Sequence, residues 1–307
     1  MIPAQNKWVA CLGMVIATSF LAFTPTAEAA HIKAFLLGGQ SNMDGRAATS
    51  GLPTSPVNLQ NPQTDVKFYF QTDGNVQGAN ENTVIDLQPG MSETSGFGPE
   101  ISFGRDVADA FATENFALIK YGNGGTSLVD EWDPNTGGEY STFISTVTAG
   151  LTALENGGSN TTEIVGMLWT QGERDAVEGR TTTQYETDLN EFIAAIRGNY
   201  GAGLPFFLSR LSSGQTSLNT TSLNAIRAAQ DLVAAGDPNA YLIDTDGFSI
   251  AADNLHFDAD GQQALGSAFA TSYIDTVVTS DVPEPSTAIL AIFGLTSFCL
   301  RRRRLAK

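Results

Sequence analysis

Gly39-Gln40-Ser41-Asn42-Met43 closes a short apolar run that extends from Ile32 to Leu37. The run predicts a buried β-strand, and a serine just past such a strand, next to a glycine, is where an α/β fold can expose a hydroxyl to a substrate. A serine hydroxyl is a poor nucleophile alone. The hypothesis therefore requires a base and an oxyanion hole elsewhere in the chain.

The choice of base is narrow, because the chain has only two histidines, His31 and His256. His31 lies at the border of an N-terminal export segment and is a poor candidate for a catalytic site. His256 follows Asp253 by three residues, so that the carboxylate can hold one ring nitrogen while the other accepts the serine proton. The alternative is a capping aspartate and a surface histidine before the last helix. The pairing with Ser41 favours the catalytic interpretation.

Apolar runs and helical patterns alternate along the chain. Strands are predicted at Ala34–Leu37, Phe116–Tyr121, Ile164–Thr170, Phe206–Leu211 and Tyr241–Asp244, and helices at Glu100–Ala112, Phe143–Leu154, Tyr185–Ile196, Leu223–Ala235 and Gln262–Val277. This alternation predicts an α/β domain with a parallel sheet between two helical layers. Residues 45–98 are rich in Gly, Asn, Pro and Thr and weakly periodic. They are expected to be a long insertion that lines the cleft.

Two further strand ends carry groups suited to acyl transfer. Small residues, among them Gly124 and Gly125, follow the second predicted strand and would let a backbone N–H approach a reacting oxygen. Gln171, Glu173 and Asp175 follow the third, where the amide can donate to an oxyanion and the carboxylates can orient the site or contact a polar substrate. The simpler alternatives are an ordinary glycine turn and a solvated loop.

The first 29 residues are predicted to be a secretory signal peptide. Lys7 precedes an apolar segment from Trp8 to Phe23, and Ala27-Glu28-Ala29 offers the small-x-small pattern of a signal peptidase site. An N-terminal membrane anchor is the less favoured alternative. We expect residues 30–280 to form one domain and residues 281–307 to form a second targeting segment.

The C-terminus carries Val282-Pro283-Glu284-Pro285, an apolar stretch from Ala288 to Leu300, and then Arg301 to Arg304. This arrangement resembles the PEP-CTERM sorting signal of Gram-negative bacteria. The resemblance implies export, transient membrane association through the tail, and its removal by an exosortase. The protein would then reside at the cell surface, in the outer envelope or in the extracellular matrix.

Charge and cysteine content exclude several classes of partner and cofactor. The chain has a formal net charge of −17, which disfavours nucleic acid and favours a neutral substrate. Its two cysteines, Cys11 and Cys299, lie in the terminal segments, so a processed protein has no disulfide. No Cys/His metal site can be built from one remaining histidine. The many carboxylates leave a Ca²⁺ site open.

Taken in order, four motifs resemble those of SGNH hydrolases, in the sialate O-acetylesterase-like and carbohydrate acetylesterase branch. They are Gly39-Gln40-Ser41-Asn42-Met43, Gly124-Gly125-Thr126-Ser127, Trp169-Thr170-Gln171-Gly172-Glu173-Arg174-Asp175 and Asp253-x-x-His256. The resemblance covers about residues 33–275. It implies a three-layer α/β/α sandwich with a flavodoxin-like parallel sheet, and it requires no cofactor and no metal.

The resemblance also assigns roles. Ser41 would be the nucleophile and His256 the base, oriented by Asp253, with Glu173 in reserve as its acid partner. The N–H groups of Ser41 and Gly125 and the side chain of Gln171 would form the oxyanion hole, with Gly124 as the alternative glycine. Further supporting residues would be Gln40, Asn42 and Asp175.

The expected function is that of an exported serine esterase that removes O-acetyl groups from carbohydrate, such as acetylxylan, sialic acid or exopolysaccharide, through an acetyl-enzyme. Two alternatives stay open. One is a cell-surface protein that binds exopolysaccharide without turning it over. The other is a lipase or thioesterase on the same scaffold, which would need a long apolar groove.

Overall fold

The structure, a computed structural model, describes residues 29–73 and 80–280. The signal peptide and the sorting tail predicted above lie outside these ranges. The strands are β1 Ala30–Gly39, β2 Gln63–Thr72, β3 Ile85–Leu87, β4 Asn115–Gly122, β5 Asn160–Thr170, β6 Phe206–Ser209 and β7 Ala240–Ile243. The helices are α1 Ser41–Asp44, α2 Glu100–Ala110, α3 Gly138–Glu155, α4 Glu173–Val177, α5 Thr182–Tyr200, α6 Thr220–Gly236 and α7 Ala259–Ser280.

The seven strands form one sheet in the order β3-β2-β4-β1-β5-β6-β7. Every neighbouring pair is parallel except β2 and β3, which pair antiparallel at the edge. The five strands predicted from sequence are β1, β4, β5, β6 and β7, and they lie in the flavodoxin-like order 2-1-3-4-5. The predicted fold class is therefore confirmed.

The insertion after β1 is more regular than predicted. Residues 45–98 contain β2 and β3, which extend the sheet beyond β4, and the interpretation of this segment as weakly periodic was wrong on that point. Val66, Phe68 and Phe70 are buried on one face of β2. Charged Asp65 and Lys67 alternate with them, so the segment shows no continuous apolar run that would predict a buried strand.

Alternate residues of the sheet feed two separate apolar cores, which gives the three layers. On β1, Ala34 and Leu36 pack with the side chains of α3, α5 and α6. Phe35 and Leu37 point the other way and pack with α2 and α7. Because both faces of the sheet are covered, the central strands are apolar along nearly their whole length.

The five predicted helices are all present, and their ends differ by a few residues. The predicted cap before α5 is a capping box, in which Thr181 and Gln184 each bond the other's backbone N–H. The short helix α4 was not among the predicted helices. No helix in the described ranges has the length and apolar character needed to cross a membrane.

Candidate active site

The strand order of the sheet reverses at β1. From β1 the chain adds β4 on one side and then β5 on the other, so that the carboxyl end of β1 lies at a topological switch point, where α/β sheets bind ligands. A pocket of about 590 Å³ opens there. Its walls come from six segments, which follow β1, β3, β4, β5, β6 and β7, and are formed by Gln40, Ser41, Arg46, Glu93, Gly124, Gly125, Glu173, Arg174, Val177, Leu218, Asp253, Leu255 and His256.

Ser41, His256 and Asp253 form a continuous hydrogen-bonded chain at this pocket. The Ser41 Oγ lies 2.9 Å from His256 Nε2, and His256 Nδ1 lies 2.6 Å from Asp253 Oδ2. Ser41 is the first residue of α1 and is 6 % exposed, with its hydroxyl at the pocket. Ser41 lies near the start of the domain, more than 200 positions before Asp253 and His256. The structure brings the three residues together in the geometry that a serine nucleophile requires.

The loop before α7 is folded so that Asp253 and His256 meet. Asp253 Oδ1 accepts the backbone N–H groups of Leu255 at 2.9 Å and His256 at 3.0 Å, while Asn254 takes a positive φ of 57°. Partial burial acts to raise the pKa of Asp253, but the hydrogen bonds from the His256 ring and these two N–H groups outweigh it and lower the pKa. The carboxylate is therefore ionised at neutral pH and able to stabilise an imidazolium.

Backbone N–H groups of Ser41 and Gly125 are available at the pocket. Neither donates a hydrogen bond to another residue in the described part of the chain. Gly125 has φ +77°, and a Cβ built on it would meet no atom within 4 Å, since the residue faces open space. A Cβ on Gly124 would lie 3.5 Å from the Cβ of Ser41, so this loop runs close to the nucleophile.

Gln171 lies behind the pocket and not on its wall. Its Nε2 donates to Asp175 Oδ2 at 2.5 Å, to the Thr126 carbonyl at 3.1 Å and to Gln40 Oε1 at 3.3 Å. The Tyr185 hydroxyl donates to its Oε1 at 2.8 Å. With its amide hydrogens directed to these acceptors, Gln171 is fully buried and does not line the pocket beside Ser41, where the resemblance predicted an oxyanion donor. Asp175 is likewise fully buried and orients Gln171, without contacting the pocket.

Gln40, by contrast, lies on the pocket wall. Its Oε1 lies near two donors at the start of α4, Gln171 Nε2 at 3.3 Å and the backbone N–H of Arg174 at 3.4 Å. Because these N–H donors bind the oxygen, they fix the orientation of the Gln40 amide. Its NH₂ group is therefore on the side opposite these donors.

Glu173 and Asn42 belong to a buried amide–carboxylate cluster with a third member, Gln215, that sequence reasoning missed. Glu173 Oε1 accepts from Asn42 Nδ2 at 2.7 Å and from Gln215 Nε2 at 3.0 Å. Glu173 makes no hydrogen bond to His256. The available signal for Gln215 was its place in the loop after β6, at the same edge of the sheet.

A buried group of charged side chains lies against α1, the helix that begins with Ser41. Lys120 Nζ donates to the Asp44 carbonyl at 2.8 Å and lies 2.9 Å from Glu100 Oε2. Burial raises the pKa of Asp44 to about 6, against the opposing effect of Lys120 and Arg46. Arg46 is in turn ion-paired with Glu93, and both line the pocket, as expected for part of the insertion.

A Ser–His–Asp chain at the switch point of a flavodoxin-like sheet is the arrangement of a serine hydrolase. Residues 31–275 match the family described as carbohydrate esterase, sialic acid-specific acetylesterase, and the chain belongs to that family. The protein is therefore a carbohydrate esterase, a carboxylic ester hydrolase.

Individual relatives are distant in sequence and similar in fold. A probable carbohydrate esterase of Arabidopsis thaliana is 24% identical over 255 residues, which cover 78% of this chain and 89% of the relative. A crystal structure of an Arabidopsis thaliana protein has a TM-score of 0.60 at 20% identity, covering 79% of this chain and 98% of that one. The structure of NanS has a TM-score of 0.59 at 15% identity, with coverage of 83% and 98%.

The carbohydrate acetylesterase XAC1771 of Xanthomonas citri gives a TM-score of 0.56 at 15% identity, where the match covers 78% of this chain and 55% of that enzyme. Residues 281–304 match the PEP-CTERM protein-sorting motif. This motif marks an exported protein of Gram-negative type and implies processing by an exosortase.

Proposed function

We propose that this protein removes O-acetyl groups from carbohydrate through an acetyl-enzyme formed on Ser41. The observation that carries the proposal is the unbroken hydrogen-bonded chain from Ser41 through His256 to Asp253 at the wall of a pocket. Membership of the carbohydrate esterase family supports the same reaction class.

In the first half-reaction, Ser41 Oγ attacks the acetyl carbonyl carbon while His256 Nε2 takes the hydroxyl proton. Asp253 stabilises the resulting imidazolium through Nδ1. The tetrahedral intermediate collapses, the bond between the acetyl carbon and the sugar oxygen breaks, and His256 returns the proton to that oxygen. Water then repeats the sequence on the acetyl-enzyme, so that acetate leaves and Ser41 is restored.

The negative oxygen of the intermediate needs donors that are already in place. We assign this role to the N–H groups of Ser41 and Gly125, which have no competing acceptor in the described residues. For the third donor we favour the NH₂ group of Gln40 over Gln171, because the Gln171 amide is consumed by Asp175 and Thr126. Gln171 then acts as the support that fixes Gln40.

The pocket favours a sugar over a long acyl chain. Its volume of about 590 Å³ is within the range of small-molecule sites. Arg46, Glu93 and Arg174 give its rim charged hydrogen-bonding groups of both signs. A lipase or thioesterase would need a continuous apolar groove, and the apolar wall here is limited to Val177, Leu218 and Leu255.

For the life cycle of the chain, we propose that residues 1–29 are removed as a signal peptide and that residues 30–280 act as the esterase domain. Residues 281–307 would hold the protein at the membrane until an exosortase cleaves them. The match to the sorting motif supports the second cleavage. The mature enzyme would then act at the cell surface, in the outer envelope or in the extracellular matrix.

The test is acetate release by the purified protein from acetylated xylan, O-acetylated sialic acid and acetylated bacterial exopolysaccharide, with butyryl and longer-chain esters for comparison. The proposal expects acetate release from at least one of these carbohydrates and a steep fall in rate with acyl length. Binding of an acetylated polymer without acetate release would instead support a non-catalytic carbohydrate-binding protein. Faster turnover of long-chain esters would support a lipase or thioesterase.

A further inference from the structure

The backbone on both sides of His256 is bound by two buried side-chain amides. The carbonyl of Leu255 accepts from Gln215 Nε2 at 2.9 Å and from Asn42 Nδ2 at 3.4 Å. The N–H of Phe257 donates to Asn42 Oδ1 at 3.0 Å. The residues before and after the catalytic histidine are therefore bound to Asn42, which lies more than 200 positions earlier in the sequence.

Both amides are themselves held by one carboxylate oxygen. Glu173 Oε1 accepts Asn42 Nδ2 at 2.7 Å and Gln215 Nε2 at 3.0 Å. The N–H of Ser212 donates to Gln215 Oε1 at 2.9 Å, which fixes the side of the Gln215 amide that carries the NH₂ group. Glu173 is 3 % exposed, and Asn42 and Gln215 are fully buried. Low exposure makes these hydrogen bonds costly to break.

We propose that Glu173 and Gln215 are positioning residues, which act through this three-residue cluster to hold the His256 loop in its catalytic place. Glu173 thereby has a role distinct from that of an acid partner to the histidine, which Asp253 fills at 2.6 Å. The inference rests on the proposed function in one respect, since it takes His256 to be the catalytic base.

Such a role is useful because residues 244–258 contain no helix and no extended strand. Around His256 the segment is held by the bridge between Ile250 and Phe257, by the Ala251 N–H that donates to the His256 carbonyl at 2.8 Å, and by the Asp253 turn. The cluster adds side-chain hydrogen bonds to the backbone on both sides of His256. The Ser41–His256 hydrogen bond spans 2.9 Å, and a displacement of about 1 Å can cost on the order of 10²-fold in rate.

The hydrogen-bond role and the charge role of Glu173 can be separated by two substitutions. Glu173→Gln keeps an acceptor oxygen for both amides and removes the charge. Glu173 Oε2 has no hydrogen-bond partner in the described part of the chain, so an NH₂ group at that position breaks no existing bond. Glu173→Leu removes the acceptor as well. A positioning role predicts that Leu is far more damaging than Gln, and a charge role predicts that the two are similar.

We expect Glu173→Leu and Gln215→Leu to lower kcat for p-nitrophenyl acetate on the order of 10²-fold with little change in KM. Glu173→Gln should lose less than tenfold and keep the wild-type pH profile. The matched control is Gln63→Leu. This substitution removes a buried amide that does not line the pocket and donates to the Ile101 carbonyl at 3.0 Å. Gln63→Leu should lose about as much stability as the two leucine variants at the site and keep the wild-type kcat.

A readout independent of turnover is the imidazole NMR spectrum of the ¹⁵N-histidine-labelled full chain, because the chain has two histidines only. His31 lies at the far end of β1, where it contacts Thr161 and Glu163, and serves as the internal reference. We expect the low-field Nδ1–H signal of His256 to broaden or vanish in Glu173→Leu and Gln215→Leu and to persist in Glu173→Gln and Gln63→Leu.

Two results would overturn the inference: an unchanged His256 signal and unchanged kcat in both leucine variants, or a loss in Glu173→Gln as large as in Glu173→Leu. If the wild-type protein shows no esterase activity on any substrate, the proposed function fails. The NMR comparison still reports whether the cluster holds the loop, so the two failures are distinguishable.

Discussion

Replacing Asp253 with Asn isolates the role of the carboxylate, because the substitution keeps the shape of the turn. The Asn Oδ1 can still accept the N–H groups of Leu255 and His256, now at 2.9 and 3.0 Å. Its NH₂ group, however, takes the place of Oδ2, which lies 2.6 Å from His256 Nδ1. Nδ1 must then become the acceptor, and the ring proton moves to Nε2. An imidazole with that proton cannot accept the proton of Ser41.

The size of the effect follows from this change of tautomer. In a buried triad the same change costs about 10⁴-fold in kcat. The Asp253 side chain is 49% exposed, so solvent screens part of its charge. We therefore expect a loss on the order of 10³-fold, or about 4 kcal/mol of transition-state stabilisation.

Initial rates of p-nitrophenyl acetate hydrolysis across pH measure this loss, and thermal melting checks that Asp253→Asn keeps its fold. Glu173→Gln is the matched variant, since it also exchanges a carboxylate for an amide at the site. If Asp253→Asn keeps more than a tenth of wild-type kcat while Glu173→Gln loses 10²-fold or more, the carboxylate that orients His256 is Glu173 and our assignment is wrong.

Three further predictions concern the surroundings of the triad. Burial raises the pKa of Asp175 from 3.8 to about 6. The protonated carboxyl therefore contributes stability that is present below about pH 4 and is lost as pH rises through 6. In Asp175→Asn, about 3 kcal/mol of this pH dependence of the unfolding free energy should be absent, as measured by urea unfolding at pH 4 to 7. A pH dependence as steep in the variant would contradict the value. Gly125→Ala keeps the N–H, but a Cβ disfavours the φ of +77° and would turn this N–H out of place, so kcat should fall on the order of 10²-fold if the N–H binds the oxyanion. Gly157→Ala, with a similar φ of +66° and equally open surroundings, carries the same strain and should keep kcat. Gln40→Glu keeps the inward oxygen but replaces the NH₂ group, and it should lower kcat on the order of 10²-fold; wild-type kcat would exclude Gln40 as the third donor.

The parts of the fold that were predictable from sequence are those fixed by local pattern. The strands β1, β4 and β6 and the second half of β5 are buried on both faces, and β7 is partly buried. Each is therefore a short apolar run that is visible without tertiary information. The strand β2 and its neighbour at the sheet edge, β3, were missed. β2 mixes charged with apolar residues and becomes half-buried only once it pairs with β4.

For the site, the pairing of Ser41 with His256 was predictable because the chain offers so few alternatives. Side-chain direction was not. Gln171 follows β5 as expected, yet contacts with Tyr185 and Asp175 direct its amide inward. The place of Gln215 in the loop after β6 did not reveal its role, because that role depends on contacts to Glu173 and Leu255, each about 40 residues away in sequence.

The most direct test of the central claim is the turnover number of Ser41→Ala, measured as acetate release from the best acetylated carbohydrate found for the wild-type enzyme. Removing the hydroxyl leaves His256 and the oxyanion donors in place but abolishes the acetyl-enzyme. We predict a fall of at least about 10⁴-fold, with the melting temperature unchanged. Acetate release at the wild-type rate would show that Ser41 is not the nucleophile.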